Sequence, residues 1–194
     1  MNAPTSSLFS RALPFVLQHE GGISVDPDDP GGVTRWGISL RWLIKAGQLD
    51  LDHDGLKDGD VDGDGDIDAA DILAMPRERA ASLYRHHWWE KGGYDRIRDP
   101  VVAVKTFDFA VNMGFGPAHR CLQRAARACR YLIADDGVIG PQTLAAVNAI
   151  DGNALAAALK SEAAGFYRGL VAARPVFAKY EQGWLNRAYS HPTL

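Results

Sequence analysis

Residues 60–71 place an aspartate at almost every second position, and this spacing restricts the local fold more than any other feature of the chain. The segment reads Asp-Val-Asp-Gly-Asp-Gly-Asp-Ile-Asp-Ala-Ala-Asp. Twelve-residue calcium loops need oxygen donors at positions 1, 3, 5, 7, 9 and 12, and a glycine at position 6 for a sharp turn. Gly65 falls at position 6, and Ile67 at position 8 is the apolar anchor. The spacing predicts six calcium ligands: Asp60, Asp62, Asp64, Asp66 through its carbonyl, Asp68 and Asp71.

The final ligand differs from the glutamate that is commonest in EF-hand loops, because position 12 holds Asp71. This shorter acid resembles the loop of dockerin modules. A preceding loop has acids at positions 1, 3, 5 and 9, but its position 12 falls on Val61. A second site therefore stays open as an alternative, with the candidate ligands Asp50, Asp52, Asp54 and Asp58. Because clustered carboxylates repel one another without a cation, we expect calcium to have a structural role.

Outside the acidic segment, the chain has a small positive net charge. Residues 50–71 hold ten Asp and one Lys, whereas the other 172 residues hold 20 Lys or Arg and 14 Asp or Glu. With a cation on the acidic segment, the surface would suit an anionic polymer. The chain has 46% hydrophobic and 23% charged residues, which is typical of a folded globular protein. It has no run of 18 apolar residues, so we expect no stable membrane insertion.

Apolar residues at three- and four-residue steps predict a mainly α protein with a small β or turn element. The first helix covers residues 7–19 and ends at Gly21-Gly22, a C-terminal stop signal. Short apolar pieces around Val25 and at Val33–Ile38 are expected to pair as small strands. Pro76 is expected in the first turn of its helix. Further helices are predicted at 40–47, 76–89, 101–111, 117–133, 141–149, 152–172 and 175–190.

The two cysteines are predicted to be reduced. Cys121 and Cys129 lie eight residues apart in one predicted helix, which separates them by roughly 12 Å. A disulfide needs Cα atoms within about 7 Å. We therefore expect two thiols in the core and no metal or redox chemistry.

Glu20 is the candidate general acid. Of five glutamates, Glu78, Glu90, Glu162 and Glu181 lie within predicted helices. Glu20 instead ends an apolar helix and precedes a segment rich in Asp, Pro and Gly. Burial and the helix dipole both favour the protonated carboxyl there, as a general acid for glycoside cleavage requires. Glycosidases usually use a second carboxylate, and the next residues supply Asp26, Asp28 and Asp29.

The segment His19–Ile38, which reads HEGGISVDPDDPGGVTRWGI, closely resembles the signature of glycoside hydrolase family 108. This family groups N-acetylmuramidases of phages and prophages. The resemblance resumes in the helix that ends at Tyr84 to Trp89. It implies that Glu20 is the catalytic acid, that the β-1,4 bond after N-acetylmuramic acid in peptidoglycan is cleaved, and that the fold is lysozyme-like.

The identity of the second catalytic carboxylate is left open between two aspartates. Phage lysozymes have a Glu, eight residues, an Asp, five residues and a Thr. Glu20 and Asp29 keep the first spacing, whereas Thr34 is one residue short of the second. Asp29 is favoured and Asp26 is the alternative, while Thr34 would position a water in an inverting reaction. Trp36 is the candidate wall for a sugar ring, and most other tryptophans are expected in the core.

The chain from residue 111 onward resembles the predicted peptidoglycan-binding domain that often follows this catalytic family. The matching pieces are Val111–Gly114, Leu122–Arg124, Asp136–Leu144, Phe166-Tyr167 and Gly183–Arg187. Asn112 in the first piece is a candidate substrate contact. The predicted division is a catalytic region at 1–110, with 50–71 as an insertion, and a helical binding region at 111–194. By physics alone, Asp136-Gly137 forms a turn and Gly140-Pro141 starts a helix.

The resemblances predict an endolysin that acts as a monomer on peptidoglycan and binds no nucleic acid. Leu8–Leu17 contains Arg11 and no small-residue cleavage site follows it, so the segment is expected to be a helix and not a signal peptide. We therefore expect synthesis in the host cytoplasm and release to the wall through a holin or another route. One alternative is a non-catalytic, calcium-dependent wall-binding protein. Another is an interaction protein with a dockerin-like tag, which would need two complete loops.

Overall fold

The computed structural model describes residues 7–20, 32–51 and 53–194, and these residues are mainly helical. The predicted fold class, mainly α with a small β element, is confirmed. The α-helices of the described residues are α1 (Leu8–Glu20), α2 (Leu40–Ala46), α3 (Ala69–Ala74), α4 (Arg77–Tyr84), α5 (Pro100–Met113), α6 (Phe115–Ala128), α7 (Pro141–Val147), α8 (Gly152–Ala173) and α9 (Ala178–Tyr189). The other elements are β1 (Thr34–Arg35), β2 (Ile38–Ser39), a π-helical turn (Arg85–Glu90) and two 3-10 turns (Tyr94–Arg96, Pro175–Phe177).

The chain divides into two compact units. One unit comprises Gly92–Leu194 and the described residues of Met1–Ala12, and the other comprises Leu13–Lys91. The division falls within α1. No helix among the described residues has both the length and the apolar character that crossing a membrane requires.

In the unit Leu13–Lys91, the two strands form one tight hairpin. Thr34 pairs with Ser39, and Arg35 pairs with Ile38, in antiparallel register. The two turn residues, Trp36 and Gly37, have φ angles of 53° and 77°, as a type I′ turn requires. Residues 34–39 therefore pair with each other. The prediction that Val33–Ile38 forms one strand that pairs with the piece around Val25 is corrected for Val33–Ile38. Val25 lies outside the described residues.

One helix prediction and one loop prediction in this unit were wrong at their boundaries. The helix predicted at 76–89 begins at Arg77, because Pro76 has extended backbone and occupies the N-cap position instead of the first turn. It changes to a π-helical turn at Arg85. The end of the acidic segment, expected to be a loop, starts α3, because the side chains of Asp68 and Asp71 cap its N-terminus reciprocally.

In the other unit, α5 and α6 are separated by a single residue. Gly114 has a φ of 84° and is both the C-cap of α5 and the N-cap of α6. The helix predicted at 117–133 therefore begins at Phe115, since Pro117 is tolerated in a first turn. It ends at Ala128, two residues before Arg130 takes a left-handed φ of 71°. The segment predicted as one helix at 175–190 opens with a 3-10 turn before α9.

The prediction of reduced cysteines is confirmed, because both thiols are free. Cys121 is buried within α6, where burial raises the pKa of its thiol to about 11. Cys129 lies at the C-cap of the same helix and is half-buried, so only one of the two belongs to the core.

A buried group of three charges joins α5 to α9. Lys105 Nζ lies 3.1 Å from Asp108 Oδ2 and donates to the carbonyl of Arg187 at 2.7 Å. Arg187 Nε donates to Asp108 Oδ1 at 3.0 Å. All three residues are almost completely buried. Burial lowers the pKa of Lys105 to about 8, although Asp108 acts in the opposite direction. Asp108 thus pairs with two buried cations.

Replacing Asp108 by Asn should destabilise the protein strongly, because Lys105 and Arg187 would each lose a charged partner in the interior. We expect a loss of about 3–5 kcal/mol in the free energy of unfolding, measured by urea denaturation. The control is Asp135→Asn, which breaks exposed pairs with Arg124 and Arg127 and should cost at most about 1 kcal/mol. Equal losses in the two variants would contradict the role given to Asp108.

Candidate active site and acidic loop

Glu20 is the last residue of α1, at the carbonyl end of the helix, as the sequence predicts. The helix buries an apolar face that includes Phe15 and Val16 just before this end. His19 Nδ1 lies 3.1 Å from the carbonyl oxygen of Phe15. The side chain of Glu20 and the residues Asp26, Asp28 and Asp29 lie outside the described residues. The roles of Glu20, Asp26 and Asp29 therefore stay predictions.

The hairpin that follows this segment is held by hydrogen bonds at its turn. The guanidinium of Arg35 donates to the carbonyl of Leu73. Trp36 Nε1 donates to the carbonyl of Met75 at 3.2 Å, and the hydroxyl of Tyr84 donates to the carbonyl of Trp36 at 3.0 Å. These contacts orient the indole of Trp36 and support a backbone conformation that costs a non-glycine residue roughly 1–2 kcal/mol.

Thr34 and Trp36, both predicted in the site, therefore lie on the same hairpin. Each is half-buried, so each retains surface that faces solvent. Sequence reasoning missed Arg35 and Tyr84 as the residues that hold the turn. The motif alone gave no signal for them, because their partners lie 38 and 48 residues away.

A layer of aromatic rings lies beside α2 and the π-helical turn. Trp42 stacks on Trp88 with ring centres 4.4 Å apart, and Tyr84 lies 5.1 Å from Trp88. The expectation that most tryptophans belong to the core is wrong. All five are among the described residues and only Trp89 is buried, because indole is large enough to keep an edge in solvent.

The acidic loop folds around its first and last carboxylates. Asp60 accepts hydrogen bonds from the backbone N–H groups of Gly63 at 2.9 Å and Gly65 at 3.1 Å. Asp71 accepts from Val61 at 2.6 Å and from Asp68 at 2.7 Å. Gly65 has a φ of 96°, the left-handed turn that the spacing predicts at position 6. The loop thus closes on itself with its first and last carboxylates turned inward.

Two sets of carboxylates in this loop converge closely enough to hold one cation. Ligand oxygens lie within 4.8 Å of one another in the sets Asp60, Asp62, Asp71 and Asp66, Asp68, Asp71. Asp60 and Asp71 are buried, and the other members are exposed. The carboxylate of Asp64 raises the pKa of Asp66, and partial desolvation together with its acidic neighbours raises the pKa of Asp62. An all-oxygen donor set of this kind suits Ca²⁺.

Asp64, predicted as a ligand at position 5, belongs to neither set. Its carboxylate accepts a hydrogen bond from the backbone N–H of Asp66 at 3.0 Å. Asp62 accepts from Asp64 in the same way at 3.3 Å. These short turns place successive carboxylates along one side of the loop.

The preceding loop repeats part of this pattern. Asp50 accepts hydrogen bonds from the N–H groups of Asp54 and Gly55, both at 3.1 Å. Asp58, the candidate ligand at position 9, is buried and lies 2.8 Å from His87 Nε2. Burial lowers the pKa of His87, although Asp58 acts in the opposite direction. Asp52 lies outside the described residues, so a second site stays a prediction.

The unit Gly92–Leu194 holds the remaining candidate, Asn112. It is exposed near the end of α5, and its Oδ1 accepts a hydrogen bond from the hydroxyl of Tyr167 at 2.8 Å. Sequence reasoning did not single out Tyr167 as its partner, because the two residues lie 55 positions apart.

The Asp136–Thr143 segment borders a cavity of about 370 Å³. Its loop is organised by buried Gln123, whose amide donates to Asp136 Oδ1 at 2.8 Å and accepts from Gly137 N at 2.8 Å. Gly140 then precedes α7, which begins at Pro141. This motif therefore has the structural role in turn and helix start that its residues predict.

The profile of the glycosyl hydrolase 108 family matches residues 13–114, more than half of the chain, and the chain belongs to this family. The profile of a predicted peptidoglycan domain matches residues 117–189. The predicted division at residue 110 stays a prediction.

The comparison with solved structures supports the fold. The structure of Brucella abortus SagA matches with a TM-score of 0.68 and 28% identity, over 93% of this chain and 88% of that chain. No curated protein matches the chain. The expected glycoside hydrolase activity is confirmed at the level of the family, which removes support from the non-catalytic alternative.

Replacing Tyr84 by Phe should loosen the hairpin, because the buried carbonyl of Trp36 would lose a donor. We expect a loss of about 1–2 kcal/mol in the free energy of unfolding and a lower kcat/KM on peptidoglycan. Chemical denaturation and the release of reducing ends measure the two effects. The control is Tyr131→Phe, which removes an exposed 3.3 Å bond to Ala149. If both variants behave like wild type, the hairpin does not depend on this contact.

Proposed function

We propose that this glycoside hydrolase cleaves the β-1,4 bond between N-acetylmuramic acid and N-acetylglucosamine in peptidoglycan, with Glu20 as the general acid. The observation that carries the proposal is the position of Glu20 as the last residue of α1, inside the region that matches the family. The carbonyl end of a helix disfavours a negative charge, so a carboxyl there keeps its proton more readily.

The reaction requires a proton donor and a second carboxylate. Glu20 gives its proton to the glycosidic oxygen, so that the bond breaks and the leaving sugar departs as an alcohol. Asp29, or Asp26 in its place, stabilises the oxocarbenium-like transition state or takes a proton from the attacking water. Thr34, half-buried on β1, would hold that water by its hydroxyl. Trp36 forms a wall for the sugar ring.

Calcium has a structural role in this proposal. The ion would be held by Asp60, Asp62, Asp64, the carbonyl of Asp66, Asp68 and Asp71, and it would supply positive charge that neutralises these carboxylates. The loop also affects the hairpin, through helix α3. Asp68 caps α3, and the carbonyls of Leu73 and Met75 at the other end of α3 accept the hydrogen bonds that hold the hairpin. An ordered loop therefore supports the hairpin that carries Trp36.

The expected biological role is that of an endolysin. Outside residues 50–71 the chain is mildly basic, which favours contact with the anionic bacterial wall. The peptidoglycan domain profile supports the same partner. We propose that the protein is made in a host cytoplasm, acts as a monomer and reaches the wall through a holin or another route.

Replacing Glu20 by Gln should abolish cleavage without unfolding the protein, because glutamine keeps the shape of the side chain and cannot donate the proton. We expect the rate of reducing-end release from purified sacculi to fall by roughly 10²–10⁴, with an unchanged melting temperature. Glu78→Gln, at an exposed position in the first turn of α4, is the control and should retain full activity. Cleavage by the Glu20 variant at the wild-type rate would remove Glu20 from the mechanism.

Removing calcium should lower the melting temperature of the wild-type protein. At a free calcium concentration 100 times the Kd, the ion should add about 2.7 kcal/mol to the free energy of unfolding. Calorimetric titration should give at least one site, and Asp62→Asn and Asp71→Asn should weaken binding at least about tenfold. Asp95→Asn, exposed and outside the loop, should bind as wild type does. No binding heat and no shift in melting of the wild-type protein would exclude the calcium site.

A further inference from the structure

Four aromatic residues in the unit Gly92–Leu194 form a continuous stack, here called the aromatic surface: Tyr167, Phe177, Tyr180 and Trp184. Tyr167 stacks on Trp184 with ring centres 5.3 Å apart and an angle of 21°. Tyr180 lies 5.6 Å from Trp184 at 32°, and Phe177 meets Trp184 edge-on at 5.9 Å. The stack is built from α8, the 3-10 turn and α9.

The aromatic surface extends from the core to solvent. Tyr167 is 1% exposed at its inner end, and Trp184 is half-buried. Tyr180 is 47% exposed at the outer end, and Val176 in the preceding 3-10 turn is 70% exposed. Packing α9 on α8 explains the inner rings. It does not require a large apolar ring at the outer end, and exposed apolar groups that lie together are typical of binding surfaces.

Cations accompany the outer rings. Lys179 Nζ lies 4.9 Å from the ring centre of Tyr180, and the guanidinium of Arg174 lies 6.0 Å from that of Phe177. The face therefore combines flat apolar rings with positive charge. A matching ligand has an apolar C–H face and carboxylates within a short distance.

The inner end of the aromatic surface adds a polar group. Tyr167 donates its hydroxyl hydrogen to Asn112, which is exposed at the surface. This contact connects the stack to an amide that can bond the hydroxyl or acetamido group of a sugar. The amide, the rings and the two cations lie in the same unit of the protein.

We propose that the aromatic surface binds the glycan strand of peptidoglycan, with a pyranose ring stacked on Tyr180 and carboxylates of the stem peptides near Lys179 and Arg174. Sugar C–H groups carry partial positive charge and meet the negative face of an aromatic ring favourably. Tyr167, Phe177, Tyr180 and Trp184 all lie within residues 117–189, which match the predicted peptidoglycan domain. The inference rests on the proposed function, in that the polymer is peptidoglycan.

Co-sedimentation of the full-length Glu20→Gln protein with purified sacculi tests this surface, because the inactive protein leaves the polymer intact. Adding Tyr180→Ala should weaken binding about three- to tenfold, the range expected for the loss of one stacked ring. Tyr180→Phe keeps the ring and should bind as the parent does. Tyr189→Ala is the matched control, because Tyr189 is on the same helix and is 51% exposed. Melting curves should agree among the variants.

A charge variant keeps the test valid if Tyr180→Ala alters the fold. Lys179→Glu, at an exposed position, should weaken binding, and the difference should shrink as salt is raised. The assignment would be overturned if Tyr180→Ala bound sacculi as strongly as the Tyr189→Ala control. Where Tyr180→Ala misfolds, the same outcome for Lys179→Glu would overturn it. If the variant binds like the control and the wild-type protein still cleaves sacculi, only the proposed binding role of the aromatic surface is rejected. If the wild-type protein neither binds nor cleaves sacculi, the proposed function is rejected as well.

Discussion

The buried carboxylate of Asp71 is the group on which the arrangement of the acidic loop and of the hairpin depends. A buried carboxylate is unfavourable unless its oxygens are bonded. Here one oxygen accepts the N–H of Val61 and the other accepts that of Asp68. Because Asp71 lies in the first turn of α3, the same side chain closes the loop and starts the helix. It also belongs to both sets of carboxylates that could hold a cation.

Helix α3 has six residues, which is too short to be stable by itself in water. The capping box stabilises one end, and the hydrogen bonds from Arg35 and Trp36 occupy carbonyls at the other. The hairpin is equally dependent, because two-residue strands with a non-glycine residue in the left-handed region do not persist alone. The loop, α3 and the hairpin therefore stabilise one another, and the conformation of Trp36 depends on all three.

Local patterns in the sequence predicted most of the fold and the turn of the acidic loop. The periodicity of apolar residues gave the helices, and the spacing of aspartates and Gly65 gave the loop, because each depends on neighbours a few residues away. Helix boundaries were missed where a local cap decides them, as at Asp68 and Pro76, and other contacts were missed because their partners are distant in the sequence. The pairing of Thr34 with Ser39 depends on Trp36 taking a conformation that Tyr84 supports, and the link from Asn112 to Tyr167 joins two helices. Such contacts leave no trace in the spacing of residues along the chain.

If the acidic loop supports the hairpin through α3, hydrogen–deuterium exchange in both segments should depend on calcium. Backbone amides of residues 33–40 and of 60–75 would be compared in excess calcium and in excess chelator. Calcium should slow exchange in both segments, including the amide of Leu40 that donates to Val33. Slower exchange in residues 60–75 alone, with residues 33–40 unchanged, would contradict it.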